Sequence, residues 1–333
     1  VPPAAAGPEF RVELRSVKAP DPHRSRVAAI DVGSNTVKLV IADASRDGGL
    51  SPVLEAGATT RLGEAMSSRR LSEEAMRRTL NVLHQCLATC AEHGVANVAA
   101  VGTSALRDAG NRSTFLERAR SIGIDVRILN GDEEARLSAL AVRSDPKWRH
   151  APSILVVDVG GGSTEIIADR IGASEQTRAS LRVGGVRLTE ERLVADPPSR
   201  SEIEHAREAV ASALGPLSLV SDGAMAVGVG GTLTNLGGVC LASGDAGSRD
   251  DLHGLVLPLA EIRRQIAMYA STPLASRRAI RGLDPARADI ILAGALIVEG
   301  VLAAARLDAI AVSCRGLRWG VLYDLCERGS ADE

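Results

Sequence analysis

Two stretches of this 333-residue chain set an acid just ahead of a glycine-tight turn, with apolar runs on either side. The first is IDVGSNTVKLVIAD (30–43), with Asp31, Gly33, Ser34 and Asn35; the second is VVDVGGGSTEIIAD (156–169), with Asp158, Gly160, Gly161, Gly162, Ser163, Thr164 and Glu165. Glycine lets the backbone turn sharply and approach a ligand, so that neighbouring amides can aim N–H groups at an anion. Ser34 and Asn35 add side-chain donors. An acid at the end of a buried strand is costly unless a cation meets it. A carboxylate beside an anion-cradling turn suits Mg²⁺ bridging the two, which makes Asp31 and its repeat Asp158 candidate metal holders. One such hairpin is explained equally well as a simple capped turn. Two, on duplicated domains, suggest a phosphate chain clamped across a cleft.

Two further segments carry candidate chemistry. In GTSALRDAGN (102–111) Arg107 follows a strand and can act as a bidentate phosphate donor, or as an ordinary surface ion-pair residue. In LNGDEEARLSALAV (129–142) Glu133 and Glu134 stand at a helix start, where acids favour the macrodipole. The alternative is that one of them protrudes as a base for water.

The elements that must position these residues alternate between strand and helix. Strands are predicted at Val27–Ile30, Lys38–Asp43 and Val53–Ala58, followed by a capped helix over Ser72–His93. A strand at Val98–Val101, a helix at Ser113–Ile122, a strand at Val126–Leu129 and a helix at Glu133–Val142 complete the first half. The second half restarts with strands at Ile154–Asp158, Glu165–Ala168 and Gln176–Val183. Helices at Val186–Leu193 and Ser201–Leu214 follow, then a strand at Met225–Val229 and a helix over Thr232–Leu241. A strand at His253–Pro258, helices at Ala260–Ala270, Pro273–Ile280 and Ala286–Ala305, a strand at Ala309–Ser313 and a helix at Leu317–Glu327 end the chain. This order calls for α/β layers in a duplicated architecture. The expected division is a disordered tail at 1–25, a first domain at 26–145, a polar linker at 145–152 and a second domain at 152–330. The last helix (316–328) is expected to return to the first domain.

Composition narrows the classes. Hydrophobic residues are 45% and charged residues 24%, an ordinary globular balance, and the net charge of −2 offers no basic field for nucleic acid. Aromatics are only 2%, so stacking platforms are not expected to dominate recognition. The five cysteines form no Cys-x-x-Cys pair, and Cys86 and Cys90, at helical spacing, read as packing. No apolar run is long enough to span a membrane and residues 1–25 lack a signal-peptide core, so a cytoplasmic location is expected.

The paired loops resemble the actin, Hsp70 and sugar-kinase superfamily, with its duplicated ribonuclease H-like domains. Within it, Gly228-Val229-Gly230-Gly231-Thr232 resembles a third glycine turn lying near the nucleotide or the distal phosphates. Taken together, AAIDVGSNTVKLVIAD, GTSALRDAGN, NGDEEARL, VVDVGGGSTEII, SLRVGGVRLTE, GVGGTLTNL and LHGLVL resemble the Ppx/GppA phosphatase family over about residues 26–328. Its members are exopolyphosphatases and guanosine pentaphosphate phosphohydrolases.

The resemblance implies that water attacks a terminal phosphoryl group, with Glu134 as base and Arg107 as phosphate-binding arginine. It implies that Asp158 and Glu165 are the magnesium-associated acids, and that Gly33–Asn35, Gly160–Thr164, Gly230 and Gly231 contact phosphate. Mg²⁺, replaceable by Mn²⁺, is the implied cofactor; a monovalent cation such as K⁺ and a homodimer are both compatible with it. The likeness is to short two-domain members, so strong processivity on very long polymers is not expected. Trp319 stands where the family usually has Glu, which should affect how the last helix docks. The leading expectation is hydrolysis of inorganic polyphosphate to orthophosphate. A guanosine pentaphosphate 5′-phosphohydrolase shares every motif; the intact acid and arginine set argues against an alarmone-binding sensor, and the motif details argue against a kinase, which the superfamily architecture would allow.

Overall fold

Period-two alternation builds the first sheet. In β2 (Ser25–Val32) residues Ala28, Ile30 and Val32 share one buried face, and in β3 (Thr36–Ala44) Val37, Leu39 and Ile41 join them. The two strands form an antiparallel hairpin in register from Ser25↔Ala44 to Val32↔Val37. β4 (Leu50–Thr59) continues the meander beside β3, while β5 (Asn97–Gly102) and β6 (Val126–Ile128) run parallel on the free side of β2. The structure, a computed structural model, describes residues 9–14, 25–45, 49–66, 69–172, 177–215, 223–243 and 249–329.

Helices cover both faces of this sheet. α1 (Glu73–Glu92) is capped by the Ser72 side chain and buries Met76, Val82, Leu83, Cys86 and Cys90 as one stripe. Both cysteines serve packing, and burial pushes the Cys86 thiol up to about 12 and that of Cys90 to about 11. α2 (Ser104–Asp108) and α3 (Arg112–Ser121) follow β5, with Phe115 in the same core. The opposite face of β2, β3 and β5 is covered by α11 (Leu317–Gly329). Trp319 of α11 is fully buried and donates its indole N–H to Glu55 Oε1 at 3.1 Å, while Arg318 meets Glu55 Oε2 at 3.1 Å. Glu55→Ala leaves both donors without their acceptor and should lower stability by about 2–3 kcal/mol. Glu55→Gln, which keeps an acceptor, should lose about half as much, as read from denaturant unfolding.

The second sheet repeats the plan. β7 (Ser153–Val159), β8 (Thr164–Arg170) and β9 (Thr177–Leu181) form an antiparallel meander, and β10 (Met225–Val229) and β12 (Ala309–Val312) add in parallel beside β7. Edge strands differ: β1 (Arg11–Leu14) pairs with β4 in the first sheet, and β11 (Val256–Pro258) with β12 in the second. With these set aside, β4-β3-β2-β5-β6 and β9-β8-β7-β10-β12 are the same order, a duplicated ribonuclease H-like, actin-like α/β fold. Leu155, Val157 and Val159 of β7 face a core built with α5 (Gly185–Arg192), α6 (Arg200–Leu214), α7 (Gly230–Ala242), α8 (Leu259–Ser271) and α10 (Ile291–Ala305). Ile154 and Val156 face the other way, onto Ala135, Ala139 and Val142 of α4 (Gly131–Arg143).

Several expectations need correction. The first compact unit ends at Asn130 and takes α11, while Gly131–Gly316 form the second, so α4 belongs with β7, β8 and β9. An amphipathic stripe states that α4 must bury one face, and only packing says on which sheet. Residues 145–152 are no linker. Asp145 is buried and accepts from Lys147 N–H at 2.9 Å, Trp148 is buried, and Arg143 donates to Ala151 C=O at 2.7 Å. The polar residues of this stretch close a packed turn. Arg11–Leu14, expected within a disordered tail, pair with the open edge of β4; residues 1–8 and 15–24 lie outside the described part. The helix read over 273–280 shrinks to α9 (Leu274–Arg277), and that over 286–305 splits into a 3₁₀ turn at Pro285–Arg287 and α10. No helix among the described residues is long and apolar enough to cross a membrane.

Candidate functional site

The first loop closes by a hydrogen bond from Gly33 N–H to Thr36 C=O at 3.1 Å, and the second by Gly160 N–H to Ser163 C=O at 3.0 Å. The two glycine amides are therefore spent within their own turns. In the first unit the Ser34 carbonyl accepts from Gly63 N–H at 2.7 Å, and the Asn35 carbonyl from Thr60 and Arg61 N–H at 3.0 and 2.9 Å. Arg61 holds a left-handed φ of 52° to complete this brace. In a planar trans peptide the N–H points opposite to the preceding carbonyl, so the N–H groups of Asn35 and Thr36 turn away from the brace. Ser34 Oγ accepts from Ala105 N–H at 3.1 Å, which ties the loop to the start of α2. Arg107, in the last turn of α2, donates through Nη1 to Leu129 C=O at 3.0 Å. The Asn35 amide nitrogen is buried without an acceptor among the described residues, an open donor at this loop.

The second loop is buttressed in the same manner by part of SLRVGGVRLTE (180–190), a motif to which the sequence analysis assigned no role. Gly160 C=O accepts from Gly185 N–H at 2.9 Å, and Gly161 C=O from Val186 and Arg187 N–H at 2.8 and 3.1 Å. Arg187 Nε reaches Gly162 C=O at 3.1 Å, and Thr164 Oγ1 donates to Val183 C=O at 2.6 Å. The N–H groups of Gly161 and Gly162 consequently face the opposite side, as an anion cradle requires. The second Gly-Gly pair, in VGGVR, was the available signal for this contact.

Asp158 and Glu165 are directly opposite each other across β7 and β8. Asp158 Oδ2 accepts from Ser138 Oγ at 2.9 Å, and Glu165 Oε1, with the residue only 1% exposed, from Ser180 Oγ at 2.7 Å. Ser138 is one helical turn beyond Glu134 on α4, so the two share a face, and Glu134 is 6% exposed. Glu134, Asp158 and Glu165 all belong to the second unit, where Ser138 links the Glu134 face of α4 to Asp158. Gly230, at φ 88°, opens α7 so close to Asp158 that a Cβ would lie 2.7 Å from Oδ1. The Asp158 carboxylate thus lies at the positive end of α7. Gly231 lies against the Arg287 guanidinium, a cation the sequence analysis missed. Gly230→Ala should lower turnover by about 100-fold, because the left-handed φ and the Asp158 contact both oppose a methyl group; phosphate-release kinetics test this.

Two like charges opposite each other on adjacent strands repel unless a cation joins them, and two carboxylate oxygens suit Mg²⁺, which keeps its other positions for water and phosphate. No cluster of three or more His, Cys, Asp or Glu forms a metal cage among the described residues. In the first hairpin the position opposite Asp31 is Lys38, so that donor set suits a divalent cation less well.

A family model described as the Ppx/GppA phosphatase family matches residues 40–328. Exopolyphosphatase 1 of Mycobacterium leprae is 32% identical over 307 residues, covering 89% of this chain and 88% of that protein. Exopolyphosphatase 2 of Mycobacterium tuberculosis is 32% identical over 321 residues, covering 90% and 98%. Among solved structures, the Aquifex aeolicus member of the Ppx/GppA family superposes with a TM-score of 0.76 at 34% identity, over 92% of this chain and 99% of that one. An exopolyphosphatase from Cytophaga hutchinsonii gives 0.82 at 27% identity, over 91% and 98%.

Proposed function

Since the chain belongs to the Ppx/GppA phosphatase family and is a phosphoanhydride hydrolase, we propose that it is an exopolyphosphatase that releases orthophosphate from the ends of inorganic polyphosphate. The observation that carries the reading is the Asp158–Glu165 pair across β7 and β8, joined through Ser138 to the face of α4 that bears Glu134, beside a loop whose amides face away from its buttress. Glu134 takes a proton from water as the water oxygen bonds to the terminal phosphorus and the bridging P–O bond breaks. The shortened polyphosphate departs with the bonding electrons. When bound by Asp158 and Glu165, Mg²⁺ supplies neutralising charge at the transferring group. In the second unit the amides of Gly161 and Gly162, with Gly230 and Gly231, bind and orient phosphate oxygens; in the first unit, taken by itself, the Ser34 and Asn35 side chains and Arg107 are phosphate donors.

Polyphosphate is preferred over guanosine pentaphosphate because the chain holds six aromatic residues, and Phe115, Trp148, Tyr269 and Trp319 are buried. The other two, Phe10 and Tyr323, are partly buried. A guanine base would find little stacking surface. A phosphate-release panel of short polyphosphate, long polyphosphate, guanosine pentaphosphate and ATP tests the reading. Polyphosphate should be the best substrate; a higher kcat/KM for guanosine pentaphosphate overturns the assignment. Arg107→Ala should lower kcat/KM for polyphosphate by about 10- to 100-fold, the value of a charge-assisted hydrogen bond. Arg107→Lys, which lacks the planar fork, should restore only part of it.

A further inference from the structure

Resting on the reading that Glu134 is the base and that Asp158 and Glu165 hold the divalent cation, we propose that Ser138 and Ser180 are positioning residues that set the spacing of these three acids. Ser138 is completely buried in α4, between Leu137 and Ala139, where an alanine would suit both burial and helix propensity better. A serine within a helix commonly returns its proton to the carbonyl four residues back. Ser138 instead sends it across to Asp158 Oδ2 at 2.9 Å. The helix carrying the base is thus tied to the first acid through this hydroxyl.

Ser180 does the equivalent for the second acid. It is the cross-strand neighbour of Glu165 between β8 and β9, and its hydroxyl donates to Glu165 Oε1 at 2.7 Å. The same side chain abuts the first residue of α4: a Cβ on Gly131 would lie 2.4 Å from Ser180 Cβ. Glu134 therefore stands in a helical turn held at Gly131 by Ser180 and at residue 138 by Asp158. Each hydroxyl fixes one carboxylate oxygen, and with it the rotation of that carboxylate. Hydroxyls of this kind orient ligands without touching the metal, and their loss commonly costs about 10- to 100-fold in activity or metal affinity.

The test uses the full chain and the variants Ser138→Ala, Ser180→Ala and Ser180→Thr. Each alanine variant should keep its thermal midpoint near wild type and lower kcat on polyphosphate by about 10-fold, with KM changed less than about twofold. Mn²⁺ titrated by calorimetry into each variant carrying Glu134→Gln should bind about 5- to 10-fold more weakly than into Glu134→Gln alone. Ser180→Thr, which keeps the hydroxyl, should recover most of both losses. If Ser138→Ala does not fold, Ser138→Cys keeps the volume with a weaker donor and should show the same kcat loss. Unchanged kcat and Mn²⁺ binding in the alanine variants overturn the proposal, as does a kcat loss that threonine does not rescue and that leaves Mn²⁺ binding intact. Asp158→Asn and Glu165→Gln separate the two levels. If these remain active, the underlying assignment of the acids falls; if they are inactive while both serine variants match wild type, only the positioning role falls.

Discussion

Glu134→Gln is expected to lower kcat for phosphate release by about 10²- to 10⁴-fold, with KM for polyphosphate within about threefold of wild type. Glutamine keeps the shape of the side chain and can hydrogen-bond to water, yet it cannot accept the proton that the nucleophile must lose. Folding should be unaffected, since Glu134 lies in the first turn of α4 and that helix is anchored by Ala135, Ala139 and Val142 in an apolar core. The neighbouring Glu133→Gln is the control. Glu133 is more exposed and points about 100° away around the helix, so its loss should change turnover by less than about threefold. Wild-type turnover in Glu134→Gln removes it from the role of base, and a large loss in Glu133→Gln transfers the role to that residue.

Gly184→Ala should be nearly as damaging for a purely steric reason. A methyl group on Gly184 would lie 2.6 Å from both Gly161 O and Ser163 N, and 2.7 Å from Gly161 C. All three are backbone atoms of the second loop, so no rotamer change relieves the overlap. The loop must shift by something approaching 1 Å, which is enough to cost about 100-fold in kcat/KM and about 1–3 kcal/mol of stability. Gly94→Ala is the informative comparison. Gly94, beyond the end of α1, has φ 63° with nothing among the described residues within 4 Å of an added Cβ. It should lose about 1–2 kcal/mol through backbone strain alone and keep its kcat. Measuring kcat/KM and unfolding together distinguishes a displaced loop from a merely weakened fold. Equal kcat/KM in Gly184→Ala and wild type rejects the buttress as a determinant of loop position.

The repeated hairpin is legible in the sequence because its signals are local. Alternating apolar residues, a glycine turn and an acid at a strand end occupy a dozen consecutive positions, and short-range sterics dictate what they do. The duplicated strand order follows from two such hairpins, each trailed by strand and helix patterns. The capped helix α1 was equally readable, down to Ser72 and the Cys86/Cys90 spacing.

Local residue order carries the chemistry on offer: two anion-seeking turns, an arginine after a strand, and acids at a helix start. Which of these share a unit depends on how the elements pack. The α4 stripe is satisfied by any apolar sheet, so nothing local says that Glu134 joins Asp158 and Glu165 rather than the hairpin of Asp31. Ser138 looks like an indifferent helical residue until its hydroxyl is found on Asp158. Gly184 owes its identity to a loop some twenty residues earlier in the chain, and Trp319 meets Glu55 across 264 positions. Contacts of this range depend on how whole elements stack, because their energy is realised only after the intervening chain has been ordered.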